Sequence, residues 1–223
     1  MFILIKDIID FFKKNFIPIS ILTLEIELPF IVIFSFGNYM GNSAISAWSG
    51  FVIIAFVIVV LPFSTGAQTS LYSMIIKGAR IDLKYCLYES KRNLSDLIAC
   101  SFIYLFLTIL GLILFILPGF IIGARLSFFP FLVIYEGYKP IHALKESYKI
   151  TKKYTWQIVN SLLLITVIIS VPDIALGQLF KGEGVRLFFL WIIFDSAFAI
   201  FGWLNLILVF RFYCMHKASS ALN

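Results

Sequence analysis

The sequence predicts an all-α, polytopic membrane protein with six transmembrane helices, and three observations carry that reading. Of 223 residues, 61% are hydrophobic and only 13% charged, with a mean hydropathy of +0.99; a soluble domain has about 45–50% apolar and about 25% charged residues. Apolar runs near 20 residues recur along the chain, the length that crosses a hydrocarbon core about 30 Å thick at about 1.5 Å per residue. Lys and Arg fall between alternate runs, the asymmetry that orients membrane helices. Disorder and collagen-like repeats are excluded by the hydrophobicity and by 13 Gly without period. Three well-separated cysteines exclude a disulfide scaffold.

The elements follow in order. Met1 to Asn15 form an amphipathic segment, with Lys6, Asp10, Lys13 and Lys14 at helical spacing. Met1 to Ile5 are apolar at once and no small-x-small site follows, so a removable signal peptide is not expected. The first span runs from Phe16 to Phe36 and the second from Phe51 to Ile76, tilted or kinked at Pro62. Runs such as Phe51 to Leu61 do not alternate apolar and polar residues, which excludes barrel strands. In lipid each backbone amide needs a partner within its own segment, so these β-branched runs are helices.

The loop after the second span alternates like a strand at Ala79, Ile81, Leu83, Tyr85 and Leu87. We read it instead as a helix capped by Asp82, with Leu83, Leu87 and Leu94 inward and Lys91 and Arg92 at its negative end. The third span is Leu97 to Leu117. Leu117-Pro118-Gly119 reverses the chain into a short fourth span, Gly119 to Tyr135, which Pro130 kinks. Gly119-x-x-x-Gly123 on that span is a close-packing pattern. Gly137 stops the helix and Pro140 starts another, with Ile141, Leu144, Tyr148 and Thr155 on its apolar face. Its Lys145, Lys149, Lys152 and Lys153 are assigned to lipid headgroups. The fifth span is Trp156 to Leu176 and the sixth Val185 to Phe210. Both internal loops thus share an order of parts: a span, a Gly, a basic amphipathic helix, another span.

Fifteen of the 18 Lys and Arg lie before the first span, between spans two and three, between four and five, or after six. Only Lys181 and Arg186 fall on the other side, and Arg125 lies within a span. Both termini are therefore expected in the cytosol. The net charge of +6 sits between apolar runs, where anionic lipid selects it, and no nucleic-acid partner is expected.

Four ionisable residues lie inside spans: Glu25, Glu27, Arg125 and Asp195. From the outer ends, Arg125 is about 10 Å deep and Glu27 and Asp195 about 13 Å. Three readings stand open: Arg125 neutralises a carboxylate and holds spans one, four and six in register; the charges line a polar cavity for a solute or proton; or Glu25 and Asp195 are protonated or locally solvated. No catalytic residues are expected, since H-E-x-x-H, G-x-S-x-G and P-loop motifs are absent from the sequence. Cys86, Cys100, Cys214, His142 and His216 lack metal-ligand spacing, so neither metal nor cofactor is expected.

The run Leu117-Pro-Gly-Phe-Ile-Ile-Gly-Ala-Arg-Leu-Ser-Phe-Phe-Pro-Phe-Leu-Val-Ile-Tyr-Glu-Gly137, followed by Ala143 to Thr151, resembles the signature of the YciC-type bacterial inner-membrane proteins. More distantly it is similar to membrane domains attached to some glycerophosphodiester phosphodiesterases. Phe11 to Phe16 and Val209 to Tyr213 fit the ends of that family, so the resemblance spans nearly the whole chain. It implies a six-span inner-membrane protein of uncharacterised activity, with no catalytic residues to carry over. The expectation is a non-enzymatic accessory or scaffold contacting anionic lipid. The alternative is a small transporter or channel using the charges between spans one, four and six.

Overall fold

The computed structural model describes residues 2–40, 50–179 and 185–221, and no strand occurs among them. Six helical runs are long and apolar enough to cross a bilayer: Phe16–Phe36, Gly50–Ile76, Leu94–Leu114, Ile116–Glu136, Thr155–Leu176 and Phe188–Ser219. The architecture is that of an all-helical, multi-pass membrane protein. In chain order the elements are α1 (Phe2–Lys14), α2 (Phe16–Met40), α3 (Gly50–Ile76), α4 (Leu83–Arg92), α5 (Leu94–Leu114), α6 (Ile116–Leu126), α7 (Phe129–Glu136), α8 (Pro140–Ile150), α9 (Thr155–Leu179), α10 (Val185–Gly202) and α11 (Leu204–Ala221). Helices α6 and α7 make the fourth span, α10 and α11 the sixth. Most of the expected outer loops, including Lys181 and the side chain of Arg186, lies outside the described residues.

Several boundaries differ from the sequence reading, each for a local reason. The third span starts at Leu94 because Asn93 ends α4 by folding its amide onto the Glu89 carbonyl at 2.9 Å. The reversal into span four is made by Phe115, whose backbone is extended (φ −159°, ψ 144°), and not by Leu117-Pro118-Gly119. Pro118 lies in the first turn of α6, where a missing N–H leaves no helical bond unmade. The sixth run continues to Ser219, beyond Phe210, since its last turns pack against protein.

The third span is the least enclosed of the six, and its exposed face carries Phe102, Phe106, Ile109 and Ile113. Such a face is a liability in water and is satisfied by lipid. Helix α1 lies along α11, burying Ile8 and Phe12. Its neighbours build an aromatic cluster from four elements. Phe11 of α1 meets Tyr72 of α3 at 5.7 Å, Tyr72 meets Phe210 of α11 at 5.4 Å, and Phe131 of α7 meets Phe210 and Tyr213 at 5.5 and 5.2 Å. Rings at these separations add to burial, and they rivet α1 to the ends of spans two, four and six.

Both basic loops fold back onto the bundle. Gly78 (φ 63°) ends α3 and Gly137 (φ 65°) ends α7; both are left-handed, a conformation a side chain strains. After each, the chain returns as a short helix packed on the span it has just left. The Asp82 carboxylate caps α4, accepting from Lys84 N at 3.0 Å and Tyr85 N at 3.3 Å. The buried face of α4 is Cys86, Glu89 and Ser90, with Leu83 and Leu87 only half-buried.

Spans three and four cross at Gly111 and Gly119. A Cβ on Gly119 would come within 2.5 Å of Leu112 Cγ and 2.7 Å of its backbone nitrogen, whereas one on Gly123 meets nothing nearer than 3.5 Å. Gly119→Ala is therefore expected to destabilise the protein by about 1–3 kcal/mol through overpacking. Gly123→Ala is expected to be near neutral; thermal unfolding in detergent compares the two, and equal losses would refute the assignment of the crossing to Gly119.

Candidate functional site

The expected charge cluster does not form. Among the described residues, no ion pair joins two of Glu25, Glu27, Arg125 and Asp195. Glu25 faces outward, while Ser35 donates to Asp195 Oδ2 at 3.4 Å. The Arg125 guanidinium stacks on the Tyr148 ring at 4.5 Å and donates to Thr155 Oγ1 at 3.4 Å. Equal depth did not bring the groups together because it says nothing about which faces of which helices meet. Arg125 instead turns to the segment that folds back beneath it.

That segment closes the break in span four. Pro130 has no N–H for the Leu126 carbonyl and its ring crowds that oxygen, so the helix interrupts at Ser127 and Phe128. The interruption leaves backbone groups without helical partners. Ser147 Oγ bridges them: it donates to Arg125 O at 2.9 Å and accepts from Phe128 N at 3.0 Å. Thr151 Oγ1 adds a bond to Arg125 O at 2.8 Å. Helix α8 therefore presents Ala143, Leu144 and Ser147 to the bundle, with Thr151 just past its end. Ile141 and Tyr148, expected inward, are exposed: the helix is rotated so that its small polar residues reach the break. Lys145, Lys149, Lys152 and Lys153 are all exposed, with Lys149 3.8 Å from Glu146. The fold-back helix α4 repeats the device, since Ser90 Oγ donates to Phe63 O at 2.6 Å.

Of the three acids, Glu27 alone is fully enclosed, at 3% exposure. Ser64 of α3 donates to its Oε1 at 2.6 Å. One turn toward the termini, Gln68 Nε2 donates to Thr23 Oγ1 at 3.0 Å and to Ile19 O at 3.2 Å. Helices α2 and α3 thus run antiparallel with 27 opposite 64 and 23 opposite 68, a polar seam of two rungs. Such bonds hold helices where lipid supplies no hydrophobic drive to associate.

Glu27 also borders a cavity of about 580 Å³ lined overwhelmingly by apolar groups from all six spans. Span irregularities converge on it. The second span widens into a π-helical stretch at Phe56–Val60, with the Leu61 N–H reaching back to Phe56 O, just ahead of Pro62. The fourth breaks at Ser127, and the sixth breaks at Trp203, which separates α10 from α11. Phe56, Pro62, Ser127 and Trp203 all line the cavity, as do Tyr104 and Asn205. Residues 26, 126 and 203–204 are the midpoints of runs one, four and six, so Glu27 and the breaks in the fourth and sixth spans sit halfway along their helices, while the π-helical stretch of the second ends three residues before its midpoint, residue 63. A separate apolar crevice of about 760 Å³ lies between α1 and spans five and six, lined by Lys13 with Phe12, Phe16 and Phe198.

The sequence offers a polar cavity between spans one, four and six as one reading; the cavity found is apolar and lined by all six spans, with Pro62 and Pro130 as its sequence signals and no proline at the Trp203 break. Among the described residues, no three His, Cys, Asp or Glu side chains converge as a metal site. The Cys86 thiol is fully enclosed, and burial, with the Asp82 carboxylate adding to it, pushes its pKa up to about 11, so it stays a protonated, unreactive thiol at neutral pH. Comparison with protein-family models, with curated proteins and with solved structures returns no match to this chain.

Ser147→Ala strands the Phe128 N–H and removes one of the bonds to Arg125 O, so it is expected to cost about 1–3 kcal/mol. Lys149→Ala, two residues on and on the exposed side, is expected to be silent within about 0.5 kcal/mol. Chemical unfolding in detergent micelles decides this, and a silent Ser147→Ala would show that the break does not need its bridge.

Proposed function

We propose that this chain is a non-enzymatic protein of a bacterial inner membrane, with both termini in the cytoplasm, that holds an apolar or amphiphilic molecule between its helices and grips anionic lipid at its basic face. The observation that carries the reading is the mid-helix cavity, where three interrupted spans and one enclosed acid meet. Its size falls within the roughly 300–1,000 Å³ of small-molecule sites, and its apolar lining suits a lipid-soluble occupant better than a hydrated ion. The resemblance to YciC-type proteins supports the membrane assignment. The distribution of Lys and Arg supports the orientation. Exposed Tyr85, Tyr88, Tyr148 and Trp156 stand among the basic residues, as an interfacial aromatic belt does.

A second reading is favoured by the same interruptions: a carrier, since discontinuous helices with free polar groups at mid-depth form the binding sites of many transporters. In that reading the occupant moves between the two sides of the cavity as the halves of the broken spans rock. It differs from the first only in requiring net movement of the occupant across the membrane.

Two experiments test the proposal. In a cysteine-free background, Lys149→Cys is expected to react with an impermeant maleimide from the cytoplasmic side of sealed membranes and Ser43→Cys from the other; exchanged sides would invert the topology, and labelling from the same side would abolish it. For the binding reading, proteins retaining a single tryptophan are placed in nanodiscs of chain-brominated lipid. Trp203, although 8% exposed, is expected to be quenched by chains entering the cavity. Trp156, 56% exposed, is expected to be quenched more by brominated phosphatidylglycerol than by brominated phosphatidylcholine, and replacing the four lysines by Gln removes that preference. Unquenched Trp203 would sink the cavity reading; equal quenching of Trp156 would sink the anionic-lipid contact.

A further inference from the structure

We infer that the occupant of the mid-helix cavity carries a neutral polar head that both donates and accepts hydrogen bonds, the chemistry of a long-chain alcohol or a lipid-soluble phenol. The inference rests on the binding reading above and adds the class of ligand. Its starting point is a pair of unmatched polar atoms at the break in the sixth span. Trp203, 8% exposed, has an enclosed Nε1 with no hydrogen-bond partner, a donor left over. Asn205 spends its amide nitrogen on Thr166 Oγ1 at 3.5 Å, and its enclosed Oδ1 has no partner, an acceptor left over. Both residues line the cavity. Gly202 beside them has nothing within 4 Å of where a Cβ would stand, so the backbone itself opens onto free space at this point.

Buried polar atoms in native proteins are nearly always satisfied, and groups left over at the wall of a cavity mark where an occupant supplies the partner. Donor and acceptor inventories then separate the candidates. A hydroxyl has one O–H to give to Asn205 Oδ1 and lone pairs to receive the Trp203 N–H. An ammonium offers donors and no acceptor, leaving the indole N–H unmatched. A carboxylate or phosphate offers acceptors and no donor, and the cavity lining includes neither Lys nor Arg to offset its charge. A bare alkyl chain satisfies neither atom. Thr65, Ser101, Tyr104, Ser127 and Glu27 are the further polar groups of the lining, and Glu27 Oε1 is already held by Ser64.

The test uses the single-Trp203 protein in brominated-lipid nanodiscs and asks which of four unbrominated twelve-carbon probes relieves the quenching by displacing the chain. Dodecan-1-ol, dodecane, dodecylammonium and dodecanoate are compared at equal mole fraction in the bilayer. Dodecan-1-ol is expected to displace on the order of tenfold or more below the concentration needed by each of the others, since each leaves at least one enclosed polar atom unmatched. Asn205→Leu is expected to reduce its advantage over dodecane to what the Trp203 N–H alone supplies. Should the tryptophan-reduced protein fold poorly, the same ranking is read from the shift in thermal unfolding of the wild-type protein. Equal displacement by all four probes, or a lead for the ammonium or the carboxylate, overturns this inference while the cavity still binds chains. Absence of quenching before any probe is added overturns the binding reading, and this inference with it.

Discussion

The fold-back of the loop between spans four and five depends on the hydroxyl of Ser147. A proline in the fourth span forces its helix open, and a helix opened away from water has backbone groups that must find partners in protein. One hydroxyl serves both sides of the gap, receiving the Phe128 N–H and donating to the Arg125 carbonyl. For Ser147 to reach that point, α8 has to turn back at Gly137 and lie along α7. The rotation of α8 follows, with Thr151 beside Ser147 and the lysines outward. So does the course of Arg125, whose guanidinium finds Tyr148 and Thr155 on the same returning segment instead of a carboxylate across the bundle.

The loop between spans two and three solves a related problem in the same order. A left-handed glycine ends the span, a short helix returns, and a serine on its inner face bonds a carbonyl of the span just left. The two loops share this plan with poor residue identity. A common plan of that kind is dictated by the solvent: a fold-back helix brings hydroxyls to membrane-buried backbone that water cannot reach. The aromatic cluster of Phe11, Tyr72, Phe131, Phe210 and Tyr213 ties α1 to the ends of spans two, four and six. Against that rigid end, the lipid-facing stretches of spans three and five are loosely enclosed, and the cavity lies where the two regimes meet.

Glu27 illustrates how lipid sorts intramembrane acids. Glu25 and Glu27 are two residues apart and point to different sides of one helix; only Glu27 meets a hydroxyl donor and becomes enclosed. The neighbouring rung of Thr23 and Gln68 extends the seam toward the termini. This polar stitching fixes the first two spans in register and presents the Glu27 carboxyl to the cavity wall. The cavity itself is the outcome of interruptions in the second, fourth and sixth spans at the same level, which keep those helices from closing on one another.

The sequence by itself determined the number of spans, the helical class, the Asp82 cap and the glycine stops, because each depends on apolar length or on the conformational preference of one or two residues. Pro62 and Pro130 likewise announced irregular helix at their own positions. What those irregularities face was not legible, and neither was the partner of any buried charge. Depth along a helix can be counted from the chain, but azimuth and neighbour order are set by six helices packing at once. Arg125, Glu27 and Asp195 at matched depths looked like a cluster, and packing sent each to a different partner. The turn of α8, the break at Trp203 and the cavity between the spans were decided only in three dimensions, where satisfying the backbone in a medium without water outweighs pairing side chains of opposite sign.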